Sequence, residues 1–374
     1  MTLACAVQAC NHIHGGLMAM SDIKEEIQRR KEEHVNFVLK KEVQNRSLSP
    51  GFEDIQFSYS ALPELDFYHI DTKATMFGKE LSAPLMIDAM TGGYQKAKQI
   101  NRDLATAAEE TGIAFAVGSQ RAMIADASLA DTYKVRDVAP NVPIIGNIGA
   151  VNLKEKDMIG KVEGALKTID ADALAIHLNP LQEIIQPEGD RNFEGCLSVI
   201  EQTCDAIDVP VVIKEVGSGI TGDVARGLEK AGASMINVSG AGGTSWGRIE
   251  SLRHKRSGHG LSDVGIPTVT ALMDVAGSVK VPIIASGGIR GGVDAAKSIM
   301  LGASYAAAAF PFLVAWDAGE VGSTIATWKE EIKAVAFLVG ARNLKELSKT
   351  KVLVMGKTLE YLKAMRERGQ WMRR

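Results

Sequence analysis

A chain of 374 residues, 46% hydrophobic and 23% charged, has an ordinary globular composition and the length of one barrel with additions. Its net charge of −3 gives no pull towards nucleic acid or an anionic membrane, and no apolar run is long enough to cross a bilayer. Four cysteines without CxxC spacing (Cys5, Cys10, Cys196, Cys204) read as reduced cytoplasmic thiols, not as a disulfide frame or a zinc site. Residues 1–20 lack the basic start and apolar stretch of a signal peptide; they are expected to form a disordered extension ahead of one domain over 21–374.

Residues 21–42 read as a helix, capped by Ser21 or Asp22. One stripe of it carries Ile23, Ile27, Arg30 or Lys31, His34 and Val38 at steps of three and four. Bases therefore interrupt the face that should meet the core, which points to an anion held beneath the helix. A hairpin is expected over 70–81. From there the rhythm is regular. Apolar runs at 84–90, 114–118, 143–148, 173–179, 210–216, 235–239, 282–286 and 305–309 read as buried parallel strands. Helical patterns lie between most of them, as at 100–112, 154–169, 194–207 and 223–232. Eight such units argue for an α/β protein, a (β/α)8 barrel with an N-terminal helical extension, over an open doubly wound sheet. Residues 240–282 break the rhythm and read as a lid or a loop that orders on binding, rich in bases at Arg248, Arg253, His254, Lys255 and Arg256.

In such a barrel the chemistry sits at the C-terminal ends of the strands. The first strand ends in Ala89-Met90-Thr91-Gly92-Gly93, which offers backbone and hydroxyl contacts to a flat ligand. The second ends in Gly118-Ser119-Gln120-Arg121, where Ser119 suits either a helix cap or a ligand and Arg121 an anion. Asn147 is an amide inside an apolar strand and needs partners, from a loop or from a heteroaromatic edge. On the fourth strand His177 and Asn179 share a face, with Gln182 and Glu183 just beyond Pro180. Four polar groups on one strand end argue for a site, with Glu183 suited to Mg²⁺ beside a diphosphate. Lys214, on a different face from Glu215, is expected to meet a bound anion. Glycine-rich ends at 240–243, with Thr244 beside them, and at Gly287 and Gly288 form a phosphate cradle with the last strand. No GxGxxG follows the first strand, so a Rossmann site is not supported. This inventory suits a flavin mononucleotide across the barrel mouth, under a phosphorylated substrate.

The motifs RKEEH (30–34), MTGG (90–93), GSQR (118–121), GNIGA (146–150), HLNPLQE (177–183), QPEGDRNF (186–193), IKEVGSG (213–219), GAGGTSW (240–246) and SGGIRGG (286–292) span roughly residues 21–345. In order and spacing the chain resembles the type 2, FMN-dependent isopentenyl-diphosphate isomerases. Thr221 stands where that family commonly has serine, and Val264 where tryptophan is usual. The resemblance implies conversion of isopentenyl to dimethylallyl diphosphate for isoprenoid biosynthesis, on reduced FMN, with Mg²⁺ and with NADPH as reductant. It implies Arg30, Lys31, His34, Ser119, Arg121, Asn179 and Gln182 as substrate contacts, Gln182 and His177 as catalytic, and Glu183 as the metal ligand. It implies Ala89, Met90, Thr91, Ser119, Asn147, Lys214, Thr244, Gly287, Gly288, Arg290, Ala308 and Ala309 as flavin contacts. It also implies a cytoplasmic homotetramer or homo-octamer. The rival readings are a 2-hydroxy-acid oxidase or dehydrogenase on the same barrel, and a flavin-binding protein without catalysis.

Overall fold

The computed structural model describes residues 20–254 and 260–371. Eight parallel strands close into a barrel: β1 (Leu85–Ile87), β2 (Ala114–Ala116), β3 (Ile144–Gly149), β4 (Ala173–His177), β5 (Val211–Lys214), β6 (Met235–Asn237), β7 (Ile283–Ala285) and β8 (Tyr305–Ala308). Each pairs with its sequence neighbours, and β8 closes on β1, with Ala306, Ala307 and Ala308 opposite Leu85, Met86 and Ile87. The expected (β/α)8 barrel is therefore what the chain builds. All eight runs are present, most of them shorter than the apolar pattern suggests. The ladder stops where the next side chains turn to face the cavity at the strand ends.

Alternation along the strands explains the two apolar layers. Met86, Ala114, Ala116, Ile145, Ala173, Ala175, Val212, Met235, Ile284 and Ala307 fill the barrel interior. Their neighbours Leu85, Ile87, Phe115, Ile144, Leu174, Ile176, Ile213 and Ile236 point outward to the helices. The antiparallel hairpin Ala74–Met76 and Lys79–Leu81 turns at Phe77-Gly78, both at positive φ (50° and 78°), as a two-residue turn requires. Its Met76 and Leu81 join the interior cluster and plug the N-terminal end of the barrel.

The N-terminal helix α1 (Met20–Lys40) is already running at Met20, so Ser21 and Asp22 lie within it and not at its cap. The disordered extension expected over residues 1–20 falls, but for Met20, outside the described residues. The segment 240–282 is not simply a lid. It holds α2 (Trp246–Arg253) and α3 (Thr268–Ala276), the latter an outer helix of the barrel. With Val269, Ala271, Leu272 and Val275 all buried, α3 lacks the polar face that marks a surface helix in sequence. Residues 255–259 lie outside the described residues.

The plug is latched from below. Asp172, just before β4, accepts from Lys79 Nζ (2.7 Å), Arg136 Nη2 (2.6 Å) and the Ile144 amide (2.8 Å). Burial alone would raise its carboxyl, but Lys79, the Ile144 amide and Arg136 together hold it below the usual range. A depressed carboxyl stabilises the fold above its unfolded value near pH ~4 and loses that contribution as pH falls further. Asp172→Ala should therefore cost about 2 kcal/mol at pH 7. Urea unfolding at pH 7 and pH 3 checks it: the gap between variant and parent should shrink at the lower pH, and a gap of equal size at both would refute the latch.

Candidate active site

Over the C-terminal ends of the strands lies a cavity of about 1060 Å³. Its wall comes from nearly every element that the sequence singled out. The helix α1 contributes Arg30, Lys31 and His34, the β1 end Ala89, Met90 and Thr91, and the β2 end Ser119 and Arg121. Asn147 comes from β3, His177 from β4, and Asn179, Gln182 and Glu183 from the turn that follows. Lys214, Thr244, Gly287, Gly288, Arg290, Ala308 and Ala309 complete the ring. The structure thus gathers these side chains in one place.

One wall is cationic. Lys31 donates to the Tyr133 hydroxyl (2.8 Å) and the Ser119 carbonyl (3.0 Å), and Tyr133 donates to the same carbonyl (2.8 Å). Burial, then Arg30 and Arg121, push the Lys31 ammonium down to about 7. Among the described residues Arg30 and Arg121 have long carboxylate contacts, with Glu188 at 3.6 Å and Glu155 at 3.7 Å. Three cations side by side are unfavourable until an anion joins them.

His34 is held differently. Its Nε2 lies 2.8 Å from Glu250 Oε1 on α2, and its ring meets Trp246 edge-on at 5.0 Å. Burial outweighs Glu250 and pushes the imidazole down, so its N–H donates to the carboxylate. Burial would raise Glu250 itself, but His34 and Arg253 hold it at about 2. Arg253 reaches Glu250 (2.5 Å), Glu33 (3.2 Å) and Glu188 (3.4 Å). One charged cluster, buried at Glu250 and Arg253, therefore ties α1, α2 and the loop after β4 together.

The floor is neutral. His177 Nδ1 donates to Asn147 Oδ1 at 2.7 Å, and burial, then Lys214 and Lys31, hold the imidazole down at about 3. Asn147 therefore has a partner on the neighbouring strand. Lys214 Nζ lies 3.8 Å from Asp88 Oδ2 and donates to the Glu215 carbonyl at 3.0 Å. The anion expected at Lys214 includes a carboxylate of the chain itself. Glu215 faces away, its Oε2 accepting the amides of Val216 (2.7 Å), Gly217 (2.8 Å) and Ser218 (2.5 Å).

The glycines bring the β6 and β7 ends together. Gly287 sits at φ 97°, and a Cβ there would fall 2.1 Å from the Gly240 carbonyl oxygen. Beside them, the helix Phe310–Ala318 begins without a side-chain cap, while the start of the helix Gly292–Met300 is taken, its Gly292 amide donating to Glu331 Oε2. An uncapped helix start next to a cavity suits a phosphate. Asn179 Oδ1 is buried without a partner, while its Nδ2 donates to Glu183 Oε1 (2.8 Å) and Gln182 Oε1 (3.3 Å). Cradle, floor and orphan amide oxygen together fit a phosphorylated heteroaromatic cofactor.

Some roles differ from expectation. The short helix Arg121–Ala125 has Gln120 at its N-cap and no side-chain cap, so Ser119 does not cap it. Asp88 escaped the sequence reading, although a lone charge in the run PLMIDAM is a visible signal. Tyr133, Trp246, Glu188 and Glu250 also escaped it as site residues, because their roles come from segments far away in the chain.

The fold and site define an FMN-binding barrel: the model of the FMN-dependent dehydrogenase family matches residues 23–140 and 157–354. A solved variant of mandelate oxidase has the same fold, with a TM-score of 0.64 at 18% identity over 88% of this chain and 97% of that one. A narrower kinship comes from sequence. The isopentenyl-diphosphate delta-isomerase of Methanosarcina mazei is 46% identical over 89% of this chain and 94% of its own. That of Pyrococcus furiosus is 45% identical over 89% and 88%. The chain belongs to the isopentenyl-diphosphate delta-isomerase family.

If Glu250 anchors α1, Glu250→Gln should loosen that helix at a cost on the order of 3 kcal/mol, because Arg253 loses its nearest counter-charge. Hydrogen exchange is the check. Amides around Val35 should exchange faster in the variant while those of the hairpin 74–81 keep their protection. Equal protection of α1 in both proteins would overturn the anchoring role.

Proposed function

We propose that the chain isomerises isopentenyl diphosphate to dimethylallyl diphosphate, shifting a double bond by one position without net oxidation. The observation that carries this is a wall of clustered cations over a neutral polar floor, within one cavity. A diphosphate answers the charge of Arg30, Lys31 and Arg121, and the apolar tail then lies over the floor. Bound reduced FMN supplies the proton donor and acceptor for the carbons of that tail.

The chain's own residues bind and orient. Gly287, Gly288, Arg290, Ala308 and Ala309 would hold the cofactor phosphate beside the uncapped start of the helix Phe310–Ala318. Ala89, Met90, Thr91, Ser119, Asn147, Lys214 and Thr244 would hold its ring system. His34, Ser119 and Asn179 join the cations in gripping the diphosphate. Gln182 and His177 stand beside the tail, with His177 kept neutral so that it does not compete for the charge. Raising the Lys31 ammonium above its depressed value is part of what a bound diphosphate does, since it brings a counter-charge to Arg30, Lys31 and Arg121.

Glu183 is our choice for the Mg²⁺ ligand. Burial raises its carboxyl despite donation from Asn179 and the Asp190 amide. Among the described residues no group of three His, Cys, Asp or Glu side chains could hold a metal. One carboxylate with substrate oxygens and water is a normal Mg²⁺ arrangement. Residues 21–374 as one FMN-binding unit, NADPH as reductant, a homotetramer or homo-octamer and a cytoplasmic setting complete the reading and rest on the motif resemblance. Among the described residues no helix is long and apolar enough to cross a membrane.

Oxidation of a 2-hydroxy acid fits less well. It requires a base and an arginine facing the floor. Arg253 is committed to three carboxylates, Arg248 donates to the Glu42 carbonyl, and His177 is paired with Asn147.

The decisive assay incubates the FMN-loaded protein anaerobically with isopentenyl diphosphate and Mg²⁺. Dimethylallyl diphosphate should appear after reduction and not with oxidised flavin; full activity without any reductant would reject the flavin's role. Glu183→Ala should raise the Mg²⁺ concentration for half-maximal rate on the order of tenfold or more. An unchanged Mg²⁺ requirement would remove Glu183 as the ligand.

A further inference from the structure

Lys214 and Asp88 stand on opposite sides of the barrel mouth, at the ends of β5 and β1, and their charged atoms meet at 3.8 Å. Both side chains are almost wholly buried, at 6% and 7% exposure. The Asp88 carboxylate is surrounded by donors. Oδ1 accepts the Ala89 amide (2.8 Å) and Oδ2 accepts Asn237 Nδ2 (3.2 Å). Asn237 is fixed in turn, its Oδ1 accepting from the Ser286 hydroxyl at 2.6 Å. A chain of buried polar contacts thus runs from β1 through β6 to β7 beneath the cavity, with the ammonium from β5 beside it. Asp88, Lys214 and Ser286 all line that cavity.

A lysine alone under a cofactor ring rewards negative charge on the ring. A lysine beside an ionised carboxylate does so far less, because in a dry site the two fields largely cancel at a distance. Oxidised flavin takes up two electrons and one proton to become a ring with one negative charge. We propose that Asp88 is a positioning residue that sets the redox poise of the bound flavin by compensating Lys214. The carboxylate holds the ammonium in place and makes the anionic reduced ring harder to form. This inference rests on the reading of FMN as cofactor and Lys214 as its contact.

Asp88→Asn removes the charge and keeps the packing. A half-turn of the Asn237 amide lets it accept from the new side-chain NH₂ and donate to Ser286, so the polar chain stays satisfied. Holo-protein is titrated with dithionite against a reference dye, after FMN stoichiometry is measured by absorbance. The ratio of reduced to oxidised flavin at fixed dye potential should rise about tenfold in Asp88→Asn, equivalent to ~30 mV for a two-electron couple. Asp88→Glu should return it to the parent value. With Lys214→Met the carboxylate has no ammonium left to hold, so adding Asp88→Asn should then give a smaller rise.

A ratio unchanged or lowered in FMN-loaded Asp88→Asn overturns the proposal, as does an equal rise with and without Lys214. If Asp88→Asn takes up no flavin, Asp88→Ser gives the same reading with a smaller side chain, and an unchanged ratio there overturns it equally. Parent protein that takes up no FMN would instead sink the cofactor reading itself.

Discussion

The buried carboxylate of Glu250 is the contact on which the geometry of the cavity depends. Among the described side chains of the helix α1, Val35 is the one that is buried, with Val38 and Leu39 partly covered. The packing of those side chains alone gives the helix little reason to settle in one place. Glu250 supplies it, drawing in His34 from α1 and Arg253 from its own helix, and Arg253 in turn gathers Glu33 and Glu188. Burying so many charges is favourable only because each has a partner. The same cluster fixes the backbone from which Arg30 and Lys31 reach the cavity, so the cationic wall rests on an electrostatic joint.

Below that joint the site divides into two zones. The cationic wall asks for a ligand with several negative charges. The floor asks for none, since Lys214 is balanced by Asp88, and His177 is kept uncharged next to Asn147. A molecule with a charged head and an apolar tail satisfies both zones at once. One with its charge at the reacting end does not, which separates this site from those that oxidise hydroxy acids on the same barrel.

Much of this was legible in the sequence, for physical reasons. Buried parallel strands need unbroken apolar runs, and loops that touch backbone to backbone need glycine, so the eight strands and the ends at Gly240 and Gly287 were readable locally. Arg30, Lys31 and His34 were conspicuous because bases do not belong on an apolar stripe. The polar group at His177, Asn179, Gln182 and Glu183 stood out for the same reason. What escaped was pairing across the fold. Lys214 showed that it needed an anion and Asp88 stood out as a lone charge in an apolar run, but nothing in the sequence joined two residues 126 positions apart. Glu250 was hidden in a segment read as a lid, and α3 was hidden because its buried residues leave no helical face of polar side chains.

The strap that follows α1 is stitched to the barrel's loops by hydrogen bonds. Asn45 donates to the Gly243 carbonyl at 2.8 Å and Ser245 to the Val43 carbonyl at 2.9 Å. The segment that carries Arg30 and Lys31 is thus fastened to the barrel rather than woven into it, while the glycine cradle belongs to the barrel's own loops. Wall and cradle are anchored separately, so the strap can vary without altering a barrel whose fold is held in common with a mandelate oxidase variant at 18% identity.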